Sequence, residues 1–260
     1  MAAVASATLD PLAVFRLDGK VAVVTGASSG LGERFARVLD AVGARVVVAA
    51  RRRARLEALA ASLSDAVVVE CDLSDPADRE RLVASTLETA GRLDVLVNNA
   101  GIGVTVALED EGLDWFRDVM ELNVTAAWHL AKLAAPALID GGGVIVNVAS
   151  MLGHVGATPV KQASYCASKG AMVNLTRELA LQFARKGVRV NALCPGWFPS
   201  EMTAGMESDE GSQRFIATNT PMQRMGAEDE LDGALLLLAT DASSFVTGQS
   251  LIVDGGWTAR

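Results

Sequence analysis

Short apolar runs alternate along this chain with longer stretches whose apolar positions recur at helical spacing. Val21–Thr25, Arg45–Ala49, Ala66–Glu70, Val95–Asn98, Val144–Val148, Arg189–Leu193 and Ser250–Val253 read as strands. Helical patterns lie near residues 31–43, 53–63, 76–90, 112–138, 164–186 and 227–239. Strand–helix alternation of this kind predicts an α/β fold with a doubly wound, parallel, seven-stranded sheet in a single domain over residues 19–260. Residues 1–18 read as a poorly ordered extension. Residues 199–226 are rich in Met, Ser, Glu and Thr, with weak periodicity. A long connection in that position reads as a substrate lid or as a plain surface insertion.

Composition narrows the picture. Hydrophobic residues make up 50% of the chain and aromatics only 5%, so the core is built from Ala, Val and Leu, as suits strands covered on both faces. The net charge of −8 comes with no basic stripe, which excludes a nucleic-acid groove and disfavours an anionic membrane surface. Cys71, Cys166 and Cys194 are far apart and lack metal-ligand spacing; reduced thiols in a cytoplasmic protein are expected, with no metal. The first fifteen residues lack a basic start and Asp10-Pro11 interrupts them, so no secretory signal is expected, and no apolar run is long enough to cross a bilayer.

The first strand runs into Thr25-Gly26-Ala27-Ser28-Ser29-Gly30-Leu31-Gly32, and a helical pattern follows at once. Glycines there let the backbone approach a pyrophosphate, and a helix start offers free amides and a positive dipole end. The second strand ends in Ala50-Arg51-Arg52, where an acid that would hold a free ribose 2′-hydroxyl is missing. An arginine there can take a 2′-phosphate, which favours NADP(H) over NAD(H); alternatively the arginines simply solvate a helix start.

Tyr165 is the only tyrosine, and Lys169 follows it by one helical turn. An ammonium beside a phenol favours the phenolate, so the pair can exchange a proton with a substrate oxygen. Alone, such a pair also fits an ordinary helix surface.

Taken in order, these motifs resemble the short-chain dehydrogenase/reductase family, in its 3-oxoacyl reductase-like branch, from about Leu17 to Thr258. The carrying residues are Thr25–Gly32, Cys71-Asp72-Leu73, Asn98-Asn99-Ala100-Gly101, Leu122-Asn123-Val124, Ser150, Tyr165 with Lys169, Pro195-Gly196, Phe245–Gln249 and Val253–Gly256. The resemblance implies a Rossmann-type domain and a nicotinamide cofactor. It implies Tyr165 as general acid/base, Lys169 as ribose ligand and modulator of Tyr165, Ser150 as donor to the substrate oxygen, and Asn123 as holder of a water chain. It places Gly26, Ser28, Ser29, Gly30, Leu31 and Gly32 on the phosphates, Arg51 and Arg52 at the ribose, and Asp72 and Leu73 beside the adenine. Asn99, Ala100 and Gly101 would pack on the cofactor, and Pro195, Gly196, Phe198 and Ser200 would border the carboxamide. The loop Met151–Ser164 is about two residues longer than is usual in the family.

The reaction expected is interconversion of a small ketone and a secondary alcohol, with a 3-oxoacyl thioester as one substrate class and a polyol or sugar as the alternative. A non-catalytic nucleotide sensor on the same fold is a third reading, opposed by the intact Ser150, Tyr165 and Lys169. Met151, Leu152, Val155, Trp197, Phe198, Met202 and Met206 are expected to border an uncharged substrate. His154 is either a substrate contact or solvent-exposed, and His129 a structural helix residue. Arg185-Lys186 is the one basic patch nameable for an acidic acyl carrier. Val124–Ile139 is apolar around much of its circumference, so a symmetry mate is expected to cover it, in a homotetramer by the family resemblance.

Overall fold

In a computed structural model, residues 10–206 and 208–259 are described. Seven strands form one parallel sheet in the order β3-β2-β1-β4-β5-β6-β7. They are β1 (Val21–Thr25), β2 (Arg45–Ala50), β3 (Ala66–Glu70), β4 (Val95–Asn98), β5 (Val144–Val148), β6 (Arg189–Pro195) and β7 (Ser250–Val253). Each sequence-derived strand is present, with β2 and β6 slightly longer. The order reverses between β1 and β4, and a crevice opens there beyond the strands' carboxyl ends.

Side chains alternate between two helical layers. Ala22, Val24, Val46, Val48 and Val146 pack against α1 (Gly30–Ala41), α2 (Arg53–Ala60) and α8 (Asp232–Ala239). Val23, Val47, Leu96 and Ile145 face α3 (Pro76–Ala90), α5 (Ala126–Gly141) and α6 (Ala163–Phe183). Burial on both faces explains why the strands read as continuous aliphatic runs.

The helix expected over 112–138 is two helices: α4 (Leu113–Met120) and α5, joined by a π-helical turn at Glu121–Thr125. A π turn keeps the chain helical while shifting the facing of the residues that follow, so apolar periodicity cannot reveal it. Within 199–226 lies α7 (Glu210–Asn219), started by the Asp209 carboxylate accepting from the Ser212 amide at 2.7 Å. Part of the expected extension belongs to the fold. Ala13–Phe15 forms a 3-10 turn, and Leu17 is buried and donates its amide to the Val42 carbonyl at 2.9 Å. The first nine residues lie outside the described ones. Among the described residues, no helix is long and apolar enough to cross a membrane.

A buried polar line ties the central strands to α6. The Asn98 Nδ2 donates to Asn147 Oδ1 at 2.9 Å, and Asn147 Nδ2 donates to Thr176 Oγ1 at 2.9 Å. These residues are almost fully enclosed, so losing one partner strands the others. Asn147→Ala is expected to lower unfolding stability by about 1–3 kcal/mol, measured by urea denaturation; unchanged stability would show that the line contributes nothing.

Candidate active site

Beyond the carboxyl ends of the strands lies a cleft of about 720 Å³. Its glycine-rich end is built by β1 and β4 together. Thr25 Oγ1 accepts the amides of Asn99 and Ala100 at 2.9 and 3.1 Å, while Asn99 Nδ2 donates to the Thr25 carbonyl at 2.9 Å. The turn after β4 is thereby locked to the turn after β1. Gly32 shows how tight the packing is: a Cβ there would stand 2.3 Å from the Gly26 carbonyl oxygen. The start of α1 thus reaches the cleft with its first amides exposed to it, and these can hold a phosphate.

The acid/base end is built by β5 and α6. Ser150 follows β5; its Oγ accepts the Leu152 amide at 3.1 Å, and its hydroxyl also hydrogen-bonds Tyr165. Lys169 is buried, and its Nζ donates to the Val148 carbonyl at 2.8 Å. The ammonium lies 5.5 Å from the centre of the Tyr165 ring. Burial pushes Lys169 down from 10.5 to about 8 and Tyr165 up from 10.0 to about 12, with the Ser150 hydroxyl pulling Tyr165 the other way. From sequence the lysine charge was expected to dominate Tyr165. Desolvation is the larger effect in the structure.

Every residue expected to bind the cofactor lines this one cleft, from Gly26 through Ser200, as do Ser150, Tyr165 and Lys169. Asn123 stands one layer behind, in the π turn. Its Oδ1 accepts the Ile102 amide at 2.8 Å, and its Nδ2 donates to the Ile102 carbonyl and to Ser168 Oγ, both at 2.9 Å. Its side chain pins the turn after β4 to α6.

Arg51 and Arg52 part company. Arg52 donates to Ser28 Oγ, Ser29 Oγ and both oxygens of Glu201. Arg51 also lines the cleft but is exposed, near Asp72, whose carboxyl is held low by the Ser74 amide and hydroxyl and by the Arg51 charge.

Of the expected substrate contacts, Met151, Leu152, Trp197, Phe198 and Met202 line the cleft, whereas Val155 and Met206 do not. His154 does not line the cleft and is largely exposed, although its Nε2 sits 3.6 Å from Cys194 Sγ, and partial burial and the Arg177 charge lower its pKa. Among the described residues, no cluster of His, Cys, Asp and Glu could hold a metal. Sequence reasoning missed Gly103, Trp115, Gln162 and Glu201, which also line the cleft. A Cβ on Gly103 would lie 2.5 Å from the Tyr165 ring, so that glycine backs the phenol. The extra glycine after Asn99-Ala100-Gly101 was the available signal for it.

A family profile described as enoyl-(acyl carrier protein) reductase matches residues 26–258. The chain is 41% identical to galactitol 2-dehydrogenase (L-tagatose-forming) of Cereibacter sphaeroides, covering 96% of this chain and 99% of that protein. It is 37% identical to meso-2,3-butanediol dehydrogenase of Serratia marcescens, over 94% and 96% of the two chains. A crystal structure of a gluconate 5-dehydrogenase from Burkholderia cenocepacia, in complex with NADP and tartrate, superposes with a TM-score of 0.91 at 33% identity, covering 96% of this chain and 100% of that one.

The Lys169 environment makes a pH prediction. The folded protein releases this proton near pH 8 and the unfolded chain near 10.5. Across that window the unfolded chain binds more protons, so stability rises with pH. The stability of the wild type relative to Lys169→Met is expected to increase between pH 8 and 10 in denaturant titrations; a flat or falling difference would contradict burial of the charge.

Proposed function

The chain belongs to the short-chain dehydrogenase/reductase family and is an oxidoreductase, and on that premise we propose that it interconverts a ketone and a secondary alcohol on a small polyol or sugar, with NADP(H) preferred. The observation that carries this reading is the convergence of Ser150, Tyr165 and Lys169 on the cleft whose other end is the Gly26–Gly32 turn. The glycine cradle and the exposed start of α1 fit a dinucleotide pyrophosphate. Bound nicotinamide supplies or accepts the hydride.

The chain's own residues do the rest. In reduction, negative charge grows on the carbonyl oxygen, and Ser150 and Tyr165 both donate to it. Tyr165 is protonated near neutral pH and so carries the proton it must give. As its proton leaves, the Lys169 ammonium one turn away stabilises the phenolate. Lys169, with one proton committed to Val148, keeps others for a ribose hydroxyl. Asn123 holds the turn that carries Ile102 and Gly103 against the phenol.

The polyol or sugar reading is better supported than the 3-oxoacyl thioester. The relatives at 41% and 37% identity carry the names galactitol 2-dehydrogenase and meso-2,3-butanediol dehydrogenase, and Gln162 and Thr105 add polar groups to the cleft. Arg185 and Lys186 follow the far end of α6 and take no part in the cleft, which leaves an acidic acyl carrier without the one patch suggested for it. NADP preference is supported by Arg51 and Arg52, which both line the cleft where β2 ends, and by the NADP complex of the gluconate 5-dehydrogenase. A homotetramer, in the cytoplasm, completes the proposal; exposed Phe116, Trp128 and Ile139 on α4 and α5 support the association of subunits.

Tyr165→Phe keeps the ring and removes the proton. Turnover on a polyol and ketose panel is expected to fall by roughly 10²–10⁴ while coenzyme binding changes little; turnover within a few-fold of wild type would refute the assignment. Light scattering is expected to give a tetramer, and a monomer at micromolar concentration would remove that part of the proposal.

A further inference from the structure

The segment after β6 reaches across the cleft mouth at Glu201. Its backbone is fixed by a 3-10 turn, Glu201–Thr203, in which Ser200 Oγ accepts the Thr203 amide at 3.3 Å and Thr203 Oγ1 accepts the Ser200 amide at 2.9 Å. The carboxylate it presents is gripped by two arginines from the start of α2. Oε1 receives Arg52 Nη1 at 2.7 Å and Arg55 Nη1 at 2.6 Å, and Oε2 receives Arg52 Nη2 at 3.0 Å. Ser29 adds its hydroxyl, and the set holds Glu201 down at about 2, led by Arg52 and then Arg55. Arg52 is itself steadied by Ser28 and Ser29, at 2.7 to 3.0 Å. Two guanidinium groups and a serine hydroxyl converging on one anion make the donor set that suits a phosphate monoester. This set sits where β2 ends, beside the glycine turn, which is where the ribose of a dinucleotide is expected.

We propose that Glu201 is an internal competitor for the coenzyme 2′-phosphate: NADP(H) must displace its carboxylate from Arg52 and Arg55, whereas NAD(H) leaves it in place. The inference rests on the dinucleotide reading given above. Two anions cannot share these arginines without repulsion, so Glu201 and a 2′-phosphate exclude one another. Glu201 therefore narrows the preference that the arginines create. Ion pairs this exposed are individually weak, so the exchange is cheap and its effect modest.

Fluorescence titration of NADPH and NADH into the wild type, Glu201→Gln and the double variant Glu201→Gln/Arg52→Met tests this. Glu201→Gln is expected to tighten NADPH about three- to tenfold while NADH stays unchanged or weakens. The double variant is expected to lose that gain, because the freed cation is gone. An unchanged NADPH-to-NADH ratio in Glu201→Gln, or weaker NADPH binding, overturns the assignment while leaving the dinucleotide reading intact. A wild type that binds neither coenzyme overturns both.

Discussion

One buried ammonium organises this protein. A lysine charge taken out of water is costly unless it is met by acceptors, and Lys169 meets the Val148 carbonyl at the end of β5. Val148 is the last residue of β5, paired with Leu193 of β6, and the Lys169 side chain reaches from α6 to its carbonyl. The packing around it is close. A Cβ on Gly153 would stand 2.6 Å from the Lys169 carbonyl, and the line from Asn98 through Asn147 to Thr176 fixes α6 on the sheet. Once Lys169 is placed, Tyr165 one turn earlier is placed too, and with it the end of the cleft where a carbonyl would react.

The same burial sets the electrostatics. It raises Tyr165 and lowers Lys169, so near neutral pH the pair is a neutral phenol and an ammonium. This resting state suits proton donation. The low-polarity surroundings that raise the phenol also strengthen the field of the ammonium on any phenolate that forms. Proton transfer and its electrostatic support therefore have one structural origin.

Much of this was legible in the sequence, for identifiable reasons. The strands were legible because each is an aliphatic run buried on both faces, and Tyr165 with Lys169 because helical spacing alone puts them together. The glycine turn was legible from its position between β1 and α1. What escaped was non-periodic or long-range. The π turn at Glu121–Thr125 leaves no mark on apolar spacing, and α7 is short, mostly exposed and held by a side-chain cap. Arg51 and Arg52 are neighbours in sequence and looked alike. Only the fold shows that one faces Asp72 while the other is held by Ser28, Ser29 and Glu201, a residue 149 positions away. The sequence also suggested that the lysine charge governs Tyr165, because spacing carries no information about desolvation.

Because Tyr165 is the only tyrosine, one isotope-labelled tyrosine carbon reports on it without ambiguity. The central claim is that burial, rather than the neighbouring ammonium, governs this phenol in the protein without cofactor. Carbon-13 NMR of the labelled ring should then show a single titration with its midpoint well above the ordinary 10.0, near 12. A midpoint at or below 10.0 would mean that the lysine charge outweighs desolvation, and would contradict the account.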